Sequence, residues 1–263
     1  MSIWGDRQAE FQVMLTSLEG EDLGLLDGVE SGSVTLSATS RLRASGSLHV
    51  VDMKQRIDWF NMHARVDYVP EGMEGWPVGT FIMSAPHREV GEHRTVSDIE
   101  LQGLLAYADR AVLKTVTHHE GAGAQSLLGP LFKSFRRVPA AIELPNFALK
   151  ESVYDVGTSV LTVINDVLNA GGYSALSTDG RGTLLVNKYI RPTRRPISYR
   201  FVEGSKAIHS ASWTIDRDIF AVPNVVICIG TGGTGSRQMV GETPPPLVGR
   251  AENRNLNDEF SIP

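Results

Sequence analysis

Apolar and polar positions alternate along most of the first hundred residues. Phe11, Val13 and Leu15 alternate with Gln12, Met14 and Thr16, the period-two pattern of a half-buried strand. Residues 33–38 repeat it, with Val34, Leu36 and Ala38 on one side. Further strands are predicted at 47–51, around Ala64, Val66 and Tyr68, at 76–84 and at 94–102. Residues 20–32, rich in glycine and acid, read as a loop whose Leu23, Leu25 and Leu26 fold back on something apolar. About six evenly spaced strands with turn residues between them favour an antiparallel barrel or sandwich. The pattern changes near residue 109, which sets the first boundary.

Beyond it the apolar period lengthens. Ala124, Leu127, Leu128, Leu131, Phe132 and Phe135 keep helical spacing, interrupted by Gly129-Pro130. Proline removes a backbone donor and crowds the preceding turn, so two short helical pieces or one kinked helix are predicted, ending at Arg136-Arg137. Residues 138–144 read as a strand. A second helix is predicted over 159–170, after the cap-type residues Asp155, Thr158 and Ser159. Its apolar face carries Val160, Leu161, Ile164, Val167 and Leu168; Asn165, Asp166 and Asn169 point away. Gly171-Gly172 ends it, because glycine accepts the left-handed conformation that closes a last turn. Asp179-Gly180 between two short apolar runs signals a hairpin against which that face packs. Strands follow at 198–202, 208–220 and 224–231. The last lacks an evident partner later in the chain, so a neighbouring subunit or the C-terminal arm is expected to pair with it.

The reading is therefore α+β and mainly β. Residues 1–109 form one β-barrel unit, and 110–196 an insertion with the helix at about 159–170 and the hairpin. Residues 197–231 form a second, partial barrel unit, and 232–263 an extended arm rich in glycine, proline and polar residues.

Composition narrows the function classes. Of 263 residues, 41% are apolar and 21% charged, as in an ordinary globular protein. Lys+Arg 25 against Asp+Glu 30, net −5, argues against nucleic-acid binding and anionic membrane surfaces, though not against a channel that DNA traverses without sticking. The single cysteine, Cys228, lies in the apolar run 225–229 and reads as a small buried hydrophobe. The start of the chain carries no secretory pattern and no apolar run is long enough to span a bilayer, so a soluble product made in a reducing cytoplasm is expected.

Candidate chemistry is sparse. Gly230, Gly232 and Gly235 match a dinucleotide-binding spacing, but 244–246 are three prolines and too little chain remains for the required βαβ unit, so a loop and no cofactor are expected. His118-His119-Glu120 reads as a solvated turn, since adjacent histidines diverge. His87, Glu89, Glu92 and His93 surround a predicted hairpin turn at Gly91, where a divalent ion is conceivable but polar tips are common without one. Asp98 with Glu100, and Asp216 with Asp218, are strand carboxylate pairs that guard edges unless a cleft lies between them. There is no Gly-x-Ser-x-Gly elbow. Arg191, Arg194, Arg195 and Arg200 form a proline-interleaved basic cluster, read as a solvated connector or subunit contact. Trp4, Trp59, Trp76 and Trp213 are scattered, which disfavours a carbohydrate-binding sheet face; a cell-wall hydrolase would need an unrecognised carboxylate pair across a groove. No catalytic, cofactor or metal residue is assigned.

An ordered series of segments carries a resemblance. Asp155-Val-Gly-Thr-Ser-Val-Leu161 is followed by Ile164-Asn-Asp-Val-Leu-Asn-Ala-Gly-Gly-Tyr173 and Asp179-Gly-Arg-Gly182, then by Arg195-Pro-Ile-Ser-Tyr-Arg-Phe201 and Asp218-Ile-Phe-Ala-Val-Pro-Asn-Val-Val226. Over about 150–230 this resembles hub-type minor tail proteins of long-tailed bacteriophages, particularly those of actinobacteria, and their relatives in contractile baseplates. The resemblance implies a structural virion protein at the tail tip with two tube-like barrels per chain, so that a homotrimer imitates a sixfold ring. It implies a tail tube or distal tail protein above, a tape-measure protein inside, fibres or a spike below, and DNA passing through the ring during genome ejection. The chain stops soon after 231, where such hubs usually continue.

Overall fold

A computed structural model describes residues 8–84, 87–92, 94–112, 114–135, 142–198 and 200, and three strands between 225 and 255. The chain divides into two compact units, Met1–Ser198 and Tyr199–Pro263. Among the described residues the fold is mainly β, with antiparallel sheets and two α-helices.

In the first unit the leading strands are β1 (Ala9–Ser17), β2 (Asp22–Leu25), β3 (Val29–Leu36), β4 (Ala44–Val51), β5 (Met62–Pro70), β6 (Trp76–Met83), β7 (His87–Val90) and β8 (Thr95–Gly103). They form one eight-stranded antiparallel sheet in the order β2-β1-β5-β6-β8-β4-β3, with β7 also on β8. Alternate side chains enclose one core: Val13 and Leu15, Ala64 and Val66, Phe81 and Met83, Ile99 and Leu101, Leu48 and Val50. No pairing joins β2 to β3 among the described residues, so the path is not closed by hydrogen bonds.

Residues 20–32 are not the predicted loop. Asp22–Leu25 pairs with Met14–Thr16, and β3 begins at Val29. All four β2 residues are exposed, so no apolar period marks them; backbone pairing with β1 makes the strand, and Arg65 holds its Asp22.

A 3-10 turn, Leu104–Ala108, leads into the second cluster. It contains β9 (Val116–His118), α1 (Ala124–Phe132), β10 (Ser152–Tyr154), α2 (Val160–Ala170), β11 (Ser177–Thr178) and β12 (Leu184–Leu185). Leu104, Leu128, Leu161, Ile164, Leu168 and Leu176 are fully buried in it. Helix α1 carries Pro130 inside and runs into a 3-10 turn at Lys133–Phe135. Residues 136–141 lie outside the described residues, and 142–144 are not in a strand as predicted.

Helix α2 buries its predicted face and Val163 besides. Gly171 ends it and Gly172 takes φ +72°, letting the Tyr173 amide reach the Leu168 carbonyl. Two polar residues behave differently from expectation. The Ser159 hydroxyl makes no cap bond and donates instead to Asp109 at 3.0 Å. Asn165 does not point away: its Oδ1 accepts the Leu176 amide at 2.9 Å and ties the helix to the hairpin approach.

The second unit shows an antiparallel meander of β13 (Val225–Gly230), β14 (Arg237–Glu242) and β15 (Glu252–Asn255). The strand at 224–231 is paired by β14, so of the two expected partners it is the C-terminal arm that supplies the pairing. One expectation is corrected: residues 232–263 are not simply an extended arm, because β14 and β15 lie within them. The interruption by Gly241 and the charged ends of β14 hid its pairing, which backbone groups supply. The predicted strands at 198–202 and 208–220 fall almost wholly outside the described residues.

Candidate interaction surfaces

The outward side of β1, β5 and β6 builds a polar layer. On β5, Ala64 and Val66 point into the core, so His63, Arg65 and Asp67 point outward. Arg65 sits opposite Met14 and Thr80, and its guanidinium holds Asp67 in two parallel bonds and reaches Asp22 at 2.5 Å. Only 10% of its side chain is exposed, so the paired carboxylates hold it firmly protonated. The Arg65 hydrogen bond also lowers the Asp22 pKa against a smaller opposing effect of burial. Beside it, buried His63 Nε2 lies 2.9 Å from the Tyr107 hydroxyl. Thr80 donates to the Gly180 carbonyl at 3.0 Å, and Gly180 approaches so closely that a Cβ there would stand 2.2 Å from the Pro77 carbonyl oxygen. The sheet thus meets the helix-and-hairpin cluster through directed hydrogen bonds as well as through apolar contacts such as that of Ile82.

At one end of the sheet an aromatic row crosses three strands. Phe11 pairs with Tyr68 and Tyr68 with Trp76, one step beyond the buried pair Val13–Val66. The ring centroids are 5.3 and 4.9 Å apart and tilted by 57° and 56°. Phe11 is 65% and Trp76 45% exposed. Sequence reasoning weighed tryptophans one by one and missed this row, whose signal is cross-strand register.

The predicted candidates are not drawn together. Gly232 and Gly235 lie outside the described residues; the strands on either side of them are antiparallel, not the parallel arrangement of a βαβ unit. His118 is not in a solvated turn: it ends β9, is buried, and its Nε2 lies 3.0 Å from the Ala122 carbonyl, while His119 is exposed. Gly91 does turn the β7–β8 hairpin; Glu89 and Glu92 are exposed and His93 lies outside the described residues. Asp98 lies 2.7 Å from His49 Nδ1 and faces solvent with Glu100, while Asp216 and Asp218 lie outside the described residues. Arg191, Arg194, Arg195 and Arg200 are exposed; Arg195 donates to the Ile190 carbonyl and lies over the Tyr189 ring. Trp59 is half-buried against the core of the eight-stranded sheet, and Trp4 and Trp213 lie outside the described residues. Among the described residues no group of three or more potential metal ligands occurs, and no helix is long and apolar enough to cross a membrane.

The chain is similar in fold to a tail protein from Neisseria meningitidis MC58, with TM-score 0.58 and 13% identity over 91% of this chain and 69% of that one. It is also similar to a chain in the lidless structure of a PdpA-VgrG complex, with TM-score 0.50 and 8% identity over 95% of this chain and 47% of that one. No family model and no curated protein matches the sequence.

Proposed function

We propose that this chain is a structural protein of a phage tail, and more finely a tail-tip hub that caps or extends the tail tube. The observation that carries the reading is the fold likeness to a tail protein across 91% of the chain. The ordered segments at 155–226 support the hub assignment. On this reading three copies form a ring and DNA passes through it. A tail tube or distal tail protein lies above, a tape-measure protein inside, and fibres or a spike below. The complex in the second similar structure supports a partner-rich position of this kind. The protein acts without catalysis and without a cofactor, and its place is the virion, after synthesis in the host cytoplasm.

Lateral contacts have a physical basis in the first unit. Among the described residues, β3 pairs only with β4, so one edge of Val29–Leu36 has no strand partner. Unpaired edges invite a further strand, and a closed ring satisfies every such edge at once. Averaging images of intact tails tests the proposal: one threefold ring at the tip is expected. Six copies in a ring would make the chain a tube or distal tail protein, and no ring at all would refute the assignment.

A further inference from the structure

We propose that the aromatic row at the end of the first sheet binds an uncharged oligosaccharide. This goes beyond the structural role above and does not depend on it.

Three aromatic residues on adjacent strands ordinarily complete a core, yet here they lie beyond its last buried pair, with Phe11 and Trp76 facing solvent on either side of half-buried Tyr68. Exposed apolar groups in a contiguous row mark a contact site. The size of the row selects the class of ligand. Two inter-strand spacings make it about 10 Å long, whereas the roughly 800 Å² per partner of a stable protein interface is a patch about 30 Å across. It matches a few sugar rings in a chain.

The chemistry points the same way. A pyranose offers an apolar C–H face and a rim of hydroxyls, and aromatic rings suit that face. Among the described residues, the Tyr68 hydroxyl and the Trp76 indole N–H make no hydrogen bond, so both remain available to a hydroxyl. Phe11 also borders a mainly apolar groove of about 410 Å³ between β1 and β3, so a chain has room to continue past the row. The tilts of 56° and 57° make a stepped trough, which suits a twisted soluble chain better than a flat crystalline face. Charge sets the last condition. Glu10, Glu71 and Glu74 line the neighbouring loop surface, and their field repels sugar acids.

The test uses the full-length chain and isothermal titration with three probes: cellohexaose, chitohexaose and an oligogalacturonate. Saturable binding of at least one neutral hexamer is expected, with none of the anionic one. Trp76→Ala and Phe11→Ala should each weaken binding about two- to twelvefold, since a well-placed ring contact is worth about 0.5–1.5 kcal/mol; Phe60→Ala, an exposed ring elsewhere, should leave it unchanged. Phe11 is mostly solvated, so its variant stays informative if Trp76→Ala unfolds. No binding of either neutral hexamer at millimolar concentration overturns the proposal. So does binding that survives both row variants, or equal binding of the anionic probe. Tail imaging can fail while the titration succeeds, or the reverse, so the two proposals stand or fall separately.

Discussion

Replacing Arg65 by methionine should be among the most damaging single changes in the first unit. The guanidinium is only 10% exposed and makes two bonds to Asp67, itself 16% exposed, and further bonds to half-exposed Asp22. Methionine fills much of the volume but leaves both carboxylates without their partner. Removing one member of a fully buried pair costs about 3–5 kcal/mol. Asp22 here can return to water, whereas Asp67 cannot do so fully, so the expected loss is about 2–3 kcal/mol. In a unit of this size that lowers Tm by roughly 5–10 °C. The assay is urea unfolding of the wild type, Arg65→Met, Asp67→Leu and the double variant. The double variant should recover part of the loss, with a coupling energy of about 1–2 kcal/mol. A loss below about 0.5 kcal/mol, or one that vanishes in molar salt, would mean that the network behaves as a solvated surface pair and would refute the reasoning.

Leu168→Ala, in the fully buried face of α2, should cost about 2–5 kcal/mol by equilibrium denaturation, against less than about 0.5 for Leu36→Ala, whose side chain is 58% exposed. Thr16→Val should stabilise by about 1 kcal/mol, because the Thr16 hydroxyl is buried without a hydrogen-bond partner among the described residues; a destabilised variant on thermal melting would contradict this. On acidification, Asp22 titrates in the folded protein below its ordinary value of 3.8, so its contribution is present above about pH 4 and disappears as pH falls through the lowered value. On the alkaline side, burial first and the Asp166 charge second raise the Tyr154 phenol above 10, so its contribution is present below about pH 10 and declines above it. Melting profiles of Asp22→Asn and Tyr154→Phe against pH should flatten the respective limbs.

Where side-chain period and local geometry agree, the chain could be read directly. The spacing of Val160, Ile164, Val167 and Leu168 defines α2, and Asp179-Gly180 marks its hairpin. Alternation marks β1, β4 and β8, whose inner faces are buried. Strands without an apolar period to mark them were not legible. All four β2 residues are exposed, and β14 has a glycine near its end and charges at both termini. Contacts across the fold were also hidden. The burial of His118, the bond from Leu176 to Asn165, and the meeting of Phe11, Tyr68 and Trp76 depend on which strands become neighbours. The candidate surfaces lie in this second category, since an interaction row belongs to the sheet order and not to any stretch of sequence.

The polar seam between the eight-stranded sheet and the helix-and-hairpin cluster bears on how such a molecule can change over generations. Two apolar cores that interdigitate must vary together, because each altered volume on one side demands an answer on the other. Here, part of the seam is specified by a few directed bonds, His63 to Tyr107 and Thr80 to the Gly180 carbonyl, with a close approach at Pro77. Either core can therefore drift in sequence while these anchor points persist. Such a seam lets the architecture outlast similarity of sequence.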